Sequence, residues 1–312
     1  MLYFPQSNKT PLCYLHCRVP RIKLANGQTR TINPPFAGLS NGFTLLFEAL
    51  LLQLCKGMTI AEVGRPTNES AHKLWEMLDR YIQSGRDLSD YTAVKNIGLD
   101  ETAITRGHNY ISLFVDLEKR NVLFVTEGKD SETVKKFVTD FVKHQGKAEN
   151  ILQASSDLSP AFIKGITENL PNAKITFDRF HVLRLINEAV DQVRREEAKT
   201  QPILKKSRYA VLKNEANLTP TQKEKREALS LSKLNLKTLR AMHMRENFQA
   251  VYAAETKEDF INLLQKWYYW ATHSRLPEMI HVAKTIKKHW EGIISWYDSR
   301  INNGILEGIN SL

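Results

Sequence analysis

The spacing of apolar and polar positions divides the chain into three stretches. From residue 43 apolar side chains recur at helical intervals. Phe43 to Cys55 is strongly apolar, and Thr59 to Val63 makes a short helix that Thr59 can cap. Glu69 to Ile82 sets Ala71, Leu74, Trp75, Leu78, Tyr81 and Ile82 on one face. The Gly64-Arg65-Pro66-Thr67-Asn68 connection is expected to separate the second helix from the third. A short helix, a tight turn and a longer helix predict a helix-turn-helix unit over 41–92, with His72, Lys73, Glu76 and Arg80 displayed outward. The first forty residues read as irregular, with basic Arg18, Arg21, Lys23 and Arg30 before the turn-prone Asn33-Pro34-Pro35.

From residue 94 the pattern becomes that of strands. Segments 94–99, Tyr110 to Val115 and Asn121 to Thr126 follow one another, and the short polar Asp116 to Arg120 predicts a hairpin turn. Ser131 is expected to cap a helix running to about Lys143. A strand at 151–155, a helix from Pro160 to Asn169, a strand from Lys174 to Phe177 and a helix from Phe180 to Glu197 complete the series. An antiparallel meander followed by alternating helix and strand is the order of the ribonuclease-H-like fold, of α/β class. There the first strand is central and the fourth lies beside it, so Asp100 and Asp157 become neighbours at one sheet edge.

Residues 198–303 lack strand signals and predict helices. Leu218-Thr219-Pro220-Thr221 opens a polar one, while Phe260 to Tyr269 and Met279 to Trp296 are amphipathic. Trp267, Tyr268, Tyr269, Trp270, Trp290 and Trp296 concentrate here among Lys284, Lys287 and Lys288. Two roles fit them: packing of a core, or stacking on unpaired bases.

Charge sharpens this picture. The 312 residues hold 44 Lys and Arg against 34 Asp and Glu, a net charge of +10 and a pI near 9.4. Such a surplus favours a polyanionic partner, because neutralised phosphates release condensed counterions. Residues 181–306 carry 22 basic and 14 acidic side chains, whereas 101–180 carry 11 of each. Three cysteines argue against a disulfide scaffold. Cys13 and Cys17 have no second pair nearby to close a zinc site. The start lacks a basic, apolar leader, and Phe43 to Cys55 is broken by Glu48 and Gln53. A cytoplasmic protein without a membrane partner is expected.

Three acids stand in segments that hold an acid in place. Asp100 ends the apolar run from Val94, Asp157 closes Ile151 to Ser156, and Glu307 sits in Asn303-Gly304-Ile305-Leu306-Glu307-Gly308. Two acids at strand ends and a third at a helix start suit the capture of paired divalent metals, which is the chemistry of cutting phosphodiesters.

Several segments carry a resemblance. Gly98-Leu99-Asp100-Glu101-Thr102, Arg106-Gly107-His108-Asn109-Tyr110 and Glu127-Gly128-Lys129-Asp130 belong to it. So do Asp157-Leu158-Ser159-Pro160-Ala161-Phe162, Phe177-Asp178-Arg179-Phe180-His181-Val182 and Asn303 to Leu312. In these the chain resembles, over about residues 15–312, bacterial insertion-sequence transposases of the DDE superfamily, in the group called ISL-three. The resemblance implies a ribonuclease-H-like catalytic core over 93–197, a large helical insertion over 198–303, and the start of the helix carrying the final Glu over 304–312. It implies metal-dependent DNA cleavage and strand transfer at element ends. Asp100, Asp157 and Glu307 would hold two Mg2+ ions, with Mn2+ able to substitute. One ion would activate water and then a DNA 3′-hydroxyl, and the other would stabilise the leaving oxygen. Glu101, His108, Asp178, Arg179 and His181 would touch DNA or orient the carboxylates. The implied partner is double-stranded DNA, both element ends and target, bound by a homo-oligomer at the bacterial nucleoid.

The chain departs from the pattern twice. Only the tail of a cysteine-rich zinc-binding segment is present over 1–40, and the sequence stops five residues after Glu307. These departures raise an alternative, a truncated copy that binds DNA or intact transposase without catalysis. A host nuclease with the same core is disfavoured by the long insertion and the preceding helix-turn-helix.

Overall fold

The computed structural model describes residues 14–38, 42–103, 110–232, 234–301 and 304–310, and the chain forms two compact units, Met1–Ser89 and Asp90–Leu312. In the first unit a small antiparallel hairpin, β1 (Arg21–Lys23) and β2 (Thr29–Thr31), stands where an irregular segment was expected. Gly27 reverses the chain with φ +81°, a backbone that glycine adopts without steric cost.

Three helices follow: α1 (Leu45–Cys55), α2 (Ile60–Thr67) and α3 (Ala71–Asp87). Thr59 caps α2 as expected, in a reciprocal capping box with Glu62. The expected break at Gly64 is absent. Pro66 sits in the last turn of α2, where its fixed φ suits the helix and one lost backbone donor is tolerable. The chain leaves the helix at Asn68, in left-handed conformation with φ 54°. Ser70 caps α3. Phe43, Leu51, Val63, Leu74 and Met77 form this unit's core. Trp75 and Ile82, expected inside, are 60% and 54% exposed. The buried stripe of α3 is centred on Leu74, Met77, Leu78 and Tyr81, one position away from both. His72, Lys73 and Glu76 are exposed as expected, whereas Arg80 is half-buried.

The second unit is built on a five-stranded mixed sheet. Its strands are β3 (Asn96–Ala103), β4 (Tyr110–Asp116), β5 (Asn121–Glu127), β6 (Gln153–Ser156) and β7 (Lys174–Phe177). Their order is β5-β4-β3-β6-β7, so the first is central and the fourth lies beside it. β3, β4 and β5 are antiparallel, while β6 runs parallel to β3 and β7 parallel to β6. β3 does not stop at Leu99. Its ladder with β4 continues to Ala103↔Tyr110, so Asp100 stands inside the strand and not at its end.

Because side chains alternate across a strand, Ile97 and Leu99 enter one face while Gly98 and Asp100 belong to the other. The first face is covered by α4 (Ser131–Lys143) and α5 (Pro160–Asn169), through Val134, Phe137, Phe141, Phe162 and Ile166. The cap of α4 is Asp130, whose carboxylate accepts from the Thr133 amide, in place of the expected Ser131. The opposite face carries a smaller core of Leu113, Val115 and Leu306, with Ile111, Leu117 and Ile309 packed against it.

α6 (Arg179–Glu197) leads into the helical region, made of α7 (Arg208–Leu212), α8 (Pro220–Ser230), α9 (Lys237–Val251), α10 (Lys257–Thr272), α11 (Pro277–Lys288) and α12 (Trp290–Ser299). The single helix expected over Met279 to Trp296 is two, with a turn at His289. The turn lets α12 reach β7. Ser295 and Thr176 share a hydroxyl hydrogen bond of 2.9 Å, and a Cβ at Gly292 would meet the Phe177 ring at 2.4 Å. Trp267 and Trp296 are buried in the core, whereas Tyr269 and Trp270 are exposed. A last short helix, α13 (Gly304–Asn310), follows. Among the described residues no helix is long and apolar enough to cross a membrane.

Candidate functional site

Strand register brings the sequence-distant acids together. β3 and β6 pair with Gly98 opposite Ser155, so Asp100 and Asp157 each follow that pair by two residues. β6 and β7 pair with Ser156 opposite Phe177, so Asp157 and Asp178 each follow by one. The amide of Asp178 donates to the Ser156 carbonyl at 3.2 Å, holding the two chain ends level. Adjacent strands lie about 4.8 Å apart. Three aspartates therefore form one row across the carboxyl ends of β6 and β7 and the matching level of β3.

Each carboxylate is fixed locally. Asp100 is 7% exposed and accepts from the Glu101 amide at 2.9 Å. Asp157 accepts from the Ser159 amide at 2.9 Å, a turn that opens α5. Asp178 caps α6 by accepting from the Phe180 amide at 3.1 Å. One turn into α6, His181 Nε2 stands 4.0 Å from Asp100 Oδ1.

The row is electrostatically uneasy. Burial pushes the Asp100 carboxyl above its ordinary range. His181 and the Glu101 amide oppose that shift, while Asp157 and Asp178 add to it by repulsion. Glu101 is also raised, first by burial, with Lys129 and Arg184 pulling it back. Asp178 Oδ2, His181 Nδ1, Ser155 Oγ and the Tyr252 hydroxyl are buried without a hydrogen-bond partner among the described residues. Native interiors leave few such groups, and four of them are gathered here around the acids.

The sheet face bearing Asp100 is also where α13 docks. Leu306 is fully buried against Leu113 and Val115, the residues opposite Asp100 and Gly98 on β4. The backbone of Glu307 belongs to this helix, and its side chain lies outside the described residues, as does the whole of His108. Among the described residues no group of three or more His, Cys, Asp or Glu is arranged to hold a metal. The donor chemistry nevertheless suits a hard divalent cation, since repelling carboxylates in a partly desolvated row are what such an ion relieves. For the cysteine pair, Cys13 lies outside the described residues and Cys17 is exposed and free.

Basic groups frame the row. Arg179 is exposed and its guanidinium lies 5.2 Å from the ring of Tyr252, which burial holds well above the usual phenol range. Lys129 sits over Tyr110 at 3.7 Å. Tyr252 carries no signal in the sequence, because only the folding of α9 against α6 brings it to Asp178 and Arg179.

The chain is similar to known proteins over most of its length. A DDE-type family model of the ISL3 group, described as a transposase, matches residues 97–312, which include the acid row and α13. A second, the helix-turn-helix domain of transposase family ISL3, matches residues 33–82. The transposase for insertion sequence element IS1557 of Mycobacterium tuberculosis (strain CDC 1551 / Oshkosh) is 24% identical over 333 residues, covering 96% of this chain and 72% of that relative. The transposase for insertion sequence element IS1001 of Bordetella parapertussis is 27% identical over 270 residues, covering 83% of this chain and 65% of that relative. With both parts matched in order, the chain belongs to the ISL3 family of insertion-sequence transposases, with a helix-turn-helix domain ahead of a DDE transposase domain.

Proposed function

We propose that this chain cleaves DNA and transfers strands at the ends of its insertion sequence, using Asp100, Asp157 and Glu307 on a ribonuclease-H-like core. The observation that carries the reading is the shared level of Asp100 and Asp157 on β3 and β6, on a sheet whose Asp100 face also receives α13. The family is one of DNA-processing enzymes, and the five-stranded order with β3 central supports the proposed core. In this reading the core spans 93–197, the insertion 198–303 and the closing helix 304–312, after a DNA-binding unit over 41–92.

Asp100, Asp157 and Glu307 would hold two Mg2+ ions, which Mn2+ can replace. When bound, the ions supply Lewis acidity toward the attacking and leaving oxygens. The chain's own residues do the rest. His181 keeps the Asp100 carboxylate turned toward the row, and Asp178 fixes the first turn of α6 from which His181 projects. Arg179, over the Tyr252 ring at 5.2 Å, presents its planar donors to a backbone phosphate. Glu101, between Lys129 and Arg184, supports the same edge of the row. Exposed His72 and Lys73 on α3 meet the duplex, and exposed Tyr269 and Trp270 stack on unpaired bases. Two ends and a target require a homo-oligomer on DNA.

The test is nicking of a duplex carrying the element's ends, with Mg2+ or Mn2+. Asp100→Ala and Asp157→Ala are expected to abolish nicking and leave gel-shift affinity unchanged. Nicking by either variant at the parent rate sinks the reading. Parent chain that shifts the duplex but cuts it with neither metal is a DNA-binding protein alone.

A further inference from the structure

Gly98 is the single glycine of β3, and a glycine inside a central strand weakens it unless something needs the space. Here the space is occupied. A Cβ at residue 98 would stand 2.8 Å from Leu117 Cδ2, 3.0 Å from Val115 Cγ2 and 3.1 Å from Leu306 Cδ1. Val115 is β-branched, stiff and fully buried within the β3–β4 ladder, so it cannot yield. Added bulk would fall on Leu117 and Leu306.

Leu306 matters because it is the fully buried apolar anchor among the described side chains of α13. The helix is seven residues long, well below the length at which an isolated helix persists in water. Among its described side chains, Leu306, fully buried, and Ile309, partly buried, join it to the small core on that face. The next residue after Leu306 is Glu307. Two residues along β3 from Gly98, on the same face, is Asp100.

We propose that Gly98 and Leu306 are positioning residues, a socket and a peg that fix α13 and thereby set Glu307 against Asp100. The functional part rests on the reading of Glu307 as the third acid. The seat gives a reason for the glycine two residues before the acid: a Cβ there crowds Leu117 and Val115 and tightens on Leu306, and a larger side chain presses on the closing helix.

The experiment is a size swap, read by amide hydrogen exchange over 304–310 and by Mg2+-dependent nicking of end-bearing DNA. Gly98→Val introduces a residue that favours strands, so β3 stays protected while α13 loses protection and nicking falls about 10²-fold at unchanged DNA affinity. Leu306→Ala adds no bulk to the sheet and should also expose α13. The double variant, with the new methyls filling the vacated space, should regain protection and about tenfold in nicking over Gly98→Val. Unchanged protection of α13 in Leu306→Ala overturns the seat, and so does a double variant no better than Gly98→Val. Glu307→Gln separates the two ideas: parent-level nicking with α13 still protected refutes the catalytic role of Glu307 and leaves the seat standing.

Discussion

Tyr81 and Glu48 show how far single residues could be read in advance. Glu48 looks like an interruption in an apolar helix, yet it is fully buried, and Tyr81 donates to its Oε2 at 2.7 Å. Burial first, then the hydrogen bond and charge of Glu48, push the Tyr81 phenol up to about 12. The Glu48 carboxyl fills space that a side chain on Gly38 would need, since a Cβ there would meet it at 2.2 Å. Tyr81→Phe removes a donor to a buried acid and should destabilise the N-terminal unit by about 1.5–3 kcal/mol. Urea unfolding followed by circular dichroism checks this, and an unchanged midpoint refutes it. The short segments around Asp100 and Asp157 marked both as candidates, and the register sets them at one level. The alignment of Asp178 in the same row was not legible in advance, because strand register is a long-range property that no local window contains.

Helices and strands were legible wherever local chemistry closed them. Pro160 opens α5, the Thr219–Gln222 capping box opens α8, and the Asp116 turn joins β4 to β5. Elements were misjudged where packing outweighed a local signal, as at Pro66 and at the α11–α12 break. That break gives a pH prediction. His289, at the turn, packs edge-on against Phe177 at 5.0 Å, and burial first, then Lys288, lowers its pKa below the ordinary 6.5. A lowered folded value means the unfolded chain takes up the proton more readily. The stability present above pH 6.5 is therefore lost as pH falls through the folded value. Melting temperatures above and below that pH should show a smaller acid-side drop for His289→Gln than for the parent, and equal drops would refute the assignment.

Across the whole chain the surplus of +10 makes a claim about DNA that no single contact makes. Affinity for duplex DNA should fall at least about tenfold between roughly 50 and 200 mM salt, measured by fluorescence anisotropy. Arg179→Ala should reduce the slope of log affinity against log salt by about one if its guanidinium meets a phosphate. A flat salt response in the parent would remove the charge argument. The linear order of apolar periods was enough to indicate a helix-turn-helix, a mixed sheet with its first strand central, and a helical region after it, because periodicity and caps act over a few residues. Short motifs also drew attention to Asp100 and Asp157, which strand register brings to one level. Folding alone established that β3 runs past Asp100, that Tyr252 joins Asp178 and Arg179 beside the row, and that Leu306 seats over Gly98. Those facts follow from register and packing between segments up to about two hundred residues apart, where contacts depend on the closed shape of the core and not on any neighbouring residue.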